Sequence, residues 1–274
     1  MNIDTTIVDA YLNFEDVSIF SDNWFFVDRM EDGVDNVFNM PPDVETKREV
    51  VLRIKDEIIA HASKFVPCNV HIWDVLVDDW RKKLQETTLD LIVGLPEPND
   101  AGVRQAPDGK FHMIFDLLCW EKYLGIMPLA ELSQNLLTHE LFHVMVGERF
   151  PDIESAEMYG GYEEQLDAIT FNEGFAHFVS YNGQEIEQVK WDGEQLTATY
   201  KTSASKMIDA LREESHKKRQ EYIYEANFGN YYDKYAAMCG MIYLGRQWQS
   251  GGAERLKEIF HQGWRGFATK SIVG

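Results

Sequence analysis

Residues 136–145 read LLTHELFHVM, and the reading of this stretch decides what the rest of the chain is taken to be. His139 and His143 stand four apart, so on a helix they share one face, a turn above each other. Glu140 lies about 100° round the axis from His139. Leu136, Leu137, Leu141 and Phe142 surround them with apolar side chains. Two imidazoles and a carboxylate are costly in such a setting unless partnered. One reading is a core helix whose polar groups are hydrogen-bonded; the other is the HExxH arrangement of two zinc ligands and a general base. In the second reading His139 and His143 hold Zn2+, and Glu140 takes a proton from a water at the metal as that water attacks a carbonyl.

The helix carrying this stretch runs from Pro128, in its first turn, to a stop at Gly147. A catalytic zinc takes three protein ligands and keeps one open position. After Gly160-Gly161 the next helix, YEEQLDAITFNEGFAHFVSY, offers Glu163, Glu164, Asp167, Glu173 and His177. Glu163 and Glu164 are first-turn charges that the helix dipole favours, and Asp167 reads as a surface residue. Glu173 falls on a stripe with Leu166, Ile169 and Thr170, faces inward, and completes a His139, His143, Glu173 set. His177, one turn further on, has three readings: an outer partner that orients a ligand, a contact to substrate or oxyanion, or a core histidine.

HELFH followed by NEGFA resembles the gluzincin zinc metallopeptidases, and the wording NEGFA is most similar to the aminopeptidase N family. The resemblance implies that His139, His143 and Glu173 are ligands, that Glu140 is the base, and that a zincin-like two-lobed fold carries a cleft across the HExxH helix. It covers about 40 residues of the chain. Between His143 and Glu173 stand 29 residues, where the aminopeptidase family keeps 18. The extra length, within GERFPDIESAEMYGGYEEQ, reads as a surface loop that adds little entropic cost. There is no GxMEN segment, so the resemblance points to the clan and not to aminopeptidase specificity. Gluzincins also use a downstream Tyr or His to bind the developing oxyanion. Tyr231, Tyr232, Tyr235, His216 and His261 are the candidates here; NYYDKY resembles the tyrosine region of the aminopeptidases, but its spacing to Gly240 differs and selects none of them.

The rest of the chain sets the frame. At 274 residues, with 45% hydrophobic and 13% aromatic content, it has enough apolar material for a large folded core. Forty-six acidic residues against 26 basic leave a formal charge of −20, which repels nucleic acid and anionic lipid. Three scattered cysteines with no CxxC pair fit a reducing compartment better than a disulfide framework. No signal peptide and no 18-residue apolar run is visible, so the expected location is cytoplasmic, or secreted or periplasmic if a leader has been removed. No GxGxxG, Walker loop or GxSxG elbow occurs.

The expected fold is α+β. A single domain spans 1–274, with a lobe of about 1–150 that holds a mixed sheet and the HExxH helix, and a mainly helical lobe of about 151–274. A helix is expected over 44–66, and strands over 69–77, 89–95 and 111–120, the last at the sheet edge after a loop over 96–110. A polar helix falls near 79–87, a hairpin over 185–200 around Asp192-Gly193, a polar helix over 203–226, and two more helices beyond. The expected function is zinc-dependent hydrolysis of a peptide or protein substrate, with no nucleic-acid partner, no membrane span and the oligomeric state open. The rivals are a catalytically silent binding or regulatory domain and a zinc hydrolase of a non-peptide amide.

Overall fold

The computed structural model describes residues 1–30 and 33–273. Its elements, in order, are β1 (Asn2–Asp4), α1 (Thr6–Leu12), β2 (Val27–Met30), β3 (Gly33–Asn36), α2 (Val44–Ala62), α3 (Val70–Leu76), α4 (Trp80–Glu86), β4 (Thr88–Ile92), β5 (Ala101–Gln105), β6 (Phe111–Asp116), α5 (Leu129–Arg149), α6 (Ile153–Tyr159), α7 (Tyr162–Ser180), α8 (Glu194–Arg212), α9 (His216–Asn227), α10 (Tyr235–Gln262) and α11 (Phe267–Val273). The class is α+β, mainly helical with a small mixed sheet. Two compact units divide the chain: Met1–Val66 with Arg81–Val144, and Pro67–Trp80 with Met145–Gly274.

In the first unit the sheet order is β1-β4-β6-β5. The pairs β1·β4 and β4·β6 are parallel and β5·β6 is antiparallel. The strand expected at the edge, β6, is therefore interior, and the edge is β5, inside the stretch expected to be a loop. The physical reason lies in burial. Phe111, Met113, Ile114 and Phe115 are all buried, as befits a strand covered on both faces. Ala101–Gln105 is half-exposed, with Gly102 and Arg104 in place of apolar alternation, so the hydrophobic pattern does not announce it. The helix α2 follows expectation: Asp43 accepts from the Glu45 amide at its start, and Val51, Ile54 and Ile58 are fully buried.

The second unit contains α3, where a strand was expected. Asn69 adopts the left-handed conformation, with φ of 57°, a region Asn tolerates better than most residues. Its buried amide donates to the carbonyls of Val179 and Gln184 and accepts from the Ile186 amide at 2.9, 3.1 and 2.8 Å. That start redirects a run of strand-prone residues into a helix burying Ile72, Trp73 and Leu76. The expected hairpin at 185–200 is instead the start of α8: Gly193 precedes the helix, and Leu196, Tyr200, Ser203, Met207 and Ala210 form its buried stripe. The expected helix at 203–226 is divided between α8 and α9, and the supposed surface loop before Gly160 contains α6. Around Phe171 the rings of Phe150, Phe175, Phe260 and Phe267 lie at 4.8–5.9 Å and form the aromatic core. Among the described residues, no helix is long and apolar enough to cross a membrane.

Candidate metal site

The helix α5 spans the HExxH stretch as expected. Leu137, Leu141 and Phe142 are fully buried and hold its register. Gln134, one turn before, is tied at both ends of its amide, to the His61 ring at 2.7 Å and to the Val66 carbonyl at 2.9 Å. The two histidines then face each other as the four-residue spacing requires. Their Nε2 atoms are 3.0 Å apart, with rings edge to face. Glu140 is buried, at 5% exposure.

The helix α7 presents Glu173. At its N-terminus Glu164, expected only as a first-turn charge, accepts from the Gly161 amide at 3.0 Å and caps the helix. Asp167 is not a plain surface residue: it accepts from the Gly266 and Ala268 amides at 2.6 and 2.9 Å and fixes the start of α11. The depth of α7 is set by a glycine crossing. A Cβ on Gly174 would lie 2.7 Å from the Gly240 Cα, and one on Gly240 would lie 2.2 Å from the Thr170 carbonyl oxygen. Only two glycines let α7 and α10 approach so closely. The glycine of NEGFA thus seats the glutamate before it.

Glu173 is hydrogen-bonded at one carboxylate oxygen and faces a histidine with the other. Oε1 accepts from Asn227 Nδ2 at 2.6 Å, and Oε2 stands 3.6 Å from the His177 Nε2. His177 is itself buried, and the ring of Tyr231 stands edge-on to it at 5.1 Å. Beside Glu173, Asn172 donates to Glu157 Oε1 at 2.8 Å. Loss of solvent pushes the Glu157 carboxyl up to about 8, with the charge of Glu173 adding to the rise and the Asn172 amide opposing it.

Each unit presents donors that could hold a metal ion: the His139 and His143 imidazoles on α5 in the first, the Glu173 carboxylate and the His177 imidazole on α7 in the second. Of the sequence-expected ligands, His139 and His143 are brought together within the first unit, and Glu173 has His177 beside it within the second. The donors fit zinc. Nitrogens on one tetrahedral zinc stand roughly 3.3 Å apart, given bonds of about 2.0–2.1 Å, close to the 3.0 Å between the two histidines. Imidazole and carboxylate are also the donor types of three-ligand catalytic zinc sites.

The five oxyanion candidates separate. Tyr235 donates its hydroxyl to the Tyr222 carbonyl at 3.1 Å, Tyr232 shares a hydrogen bond with Tyr181 at 3.1 Å, and His216 and His261 are exposed. Tyr231 stands edge-on to His177, its hydroxyl resting on Met241 Sδ at 3.7 Å and raised far above the ordinary phenol range by burial. Sequence reasoning missed Asn227 and Glu157. Both are polar residues on polar helices, and nothing in their spacing marks them. No family model, curated protein or solved structure matches the chain.

Proposed function

We propose that the chain is a zinc-dependent peptidase of gluzincin type with a zincin-like fold, in which His139, His143 and Glu173 hold Zn2+ and Glu140 is the general base. The observation that carries this reading is the facing pair of HExxH histidines on α5, whose Nε2 atoms are 3.0 Å apart as two nitrogens on one ion require; the buried helix α7 offers Glu173, with His177 on the same face, as the third donor. When bound, zinc acts as a Lewis acid on the scissile carbonyl and makes water acidic near neutral pH. Glu140 contributes a buried carboxylate at the neighbouring position of the same helix. It accepts the proton of the attacking water at a carboxylate oxygen and delivers it to the nitrogen of the leaving amine. His177 stands 3.6 Å from Glu173 Oε2, and Tyr231, edge-on to that ring, is the candidate to meet the oxyanion.

Quenched-fluorescence peptide libraries test the reading. With zinc supplied, the chain is expected to cleave peptides, to stop when a chelator removes the metal, and to resume when zinc is restored. Zinc uptake without cleavage of any peptide would turn the assignment toward a silent binding domain or a hydrolase of another amide.

A further inference from the structure

Asn227 ends α9, a helix on which only Ala226, the residue before it, is fully buried. Exposed or half-exposed charged contacts hold its outer side. Examples are the Lys206–Glu225 pair at 3.1 Å and the guanidinium of Arg219 over the Tyr162 ring at 4.8 Å. Tyr222 and Ile223 pack against the same core cluster as Ala226, and the last turn that follows delivers one amide to Glu173. Asn227 Nδ2 donates to Glu173 Oε1 at 2.6 Å. The acceptor fixes which way the amide faces, because the flipped rotamer would set oxygen against carboxylate oxygen.

The other half of the same amide has an unusual status. Asn227 Oδ1 is buried and has no hydrogen-bond partner among the described residues. A buried acceptor left unpaired costs free energy, and an apolar side chain in its place removes that cost. The cost of that oxygen is set against the 2.6 Å hydrogen bond that Nδ2 gives the Glu173 carboxylate, so the amide's net contribution to stability is small. What it does supply is orientation: with Oε1 committed to the amide, Glu173 turns Oε2 toward His177 Nε2. Groups that hydrogen-bond a metal ligand fix the angle at which it meets the ion.

We propose that Asn227 is a positioning residue for the metal site, orienting the Glu173 carboxylate at the expense of its own unpaired oxygen. The inference rests on the zinc reading above, and α9 thereby becomes part of the site although none of its residues is a ligand. The test is zinc affinity, measured by competition with a chromogenic chelator, together with the thermal melt of the metal-free chain. Asn227→Ala is expected to weaken zinc binding 10- to 100-fold, while the metal-free melting temperature changes little, the lost hydrogen bond to Glu173 and the removed unpaired oxygen acting in opposite directions. In a Glu173→Ala background the same substitution is expected to change zinc affinity by less than twofold, since its effect passes through that carboxylate. Unchanged affinity in Asn227→Ala overturns the proposal, as does an equal loss with and without Glu173. A lowered metal-free melt with unaltered affinity also overturns it, making Asn227 a structural residue. If the parent chain takes up no zinc at all, the zinc reading itself fails, a result visible before any variant is compared.

Discussion

Glu140 is where activity and metal binding should come apart. It shares a helix with His139 and His143 but points to a different side, so its removal leaves the donors in place. Glu140→Gln keeps the shape and loses the base. Peptide cleavage is expected to fall about 10²- to 10⁴-fold while zinc content by elemental analysis stays near that of the parent; a variant retaining most of its rate would contradict the role. A second single-residue prediction concerns Asp116, fully buried at the end of β6. Its carboxylate accepts from the Leu95, Leu118 and Cys119 amides at 2.7, 2.9 and 3.2 Å. Even so, burial pushes it from 3.8 up to about 6. A carboxyl raised in the folded state binds its proton more tightly there than in the unfolded chain. Its contribution to stability is therefore fullest below pH 3.8 and is lost as pH rises through 6, by roughly 3 kcal/mol in all. Asp116→Asn cannot ionise and breaks the acceptor set, so it should be less stable than the parent. Thermal melts are expected to show that gap narrowing between pH 4 and pH 7; a gap that widens contradicts the assignment.

At the scale of elements, the crossing of α7 and α10 links packing to chemistry. Gly174→Ala sets a methyl group 2.7 Å from the Gly240 Cα, and overpacking of this kind costs about 1–3 kcal/mol. Because Glu173 precedes that glycine, the variant should lose zinc affinity as well as melting temperature. Retention of both would show that the crossing does not seat the ligand. The elements also show what pattern reading can see. HELFH and NEGFA stand on helices that the 3.6-residue period and the flanking Pro128 and Gly160-Gly161 had already marked. Asn69 hid α3, since a left-handed start cannot be inferred from the strand-prone residues after it. The edge strand β5 was hidden for the opposite reason, an exposed segment with no apolar alternation. Asp192-Gly193 suggested a hairpin, yet Leu196, Tyr200 and Met207 carry helical spacing that decides the matter once a core is there to receive them.

Across the whole molecule, composition bounds the chemistry without choosing it. The charge of −20 disfavours polyanionic partners, and no helix among the described residues suits a bilayer. His139 and His143 were legible because a four-residue spacing puts them on one helix face, and Glu173 because it falls on the buried stripe of α7. Asn227 was not, since a hydrogen bond between residues 54 apart imposes none. The account as a whole depends on one divalent ion bound by these side chains. Elemental analysis of the purified chain after zinc loading and dialysis tests this most directly. One zinc per chain is predicted, with loss of the metal in His139→Ala, His143→Ala and Glu173→Ala. A chain that folds, retains no zinc and competes with no chelator for it would contradict the account.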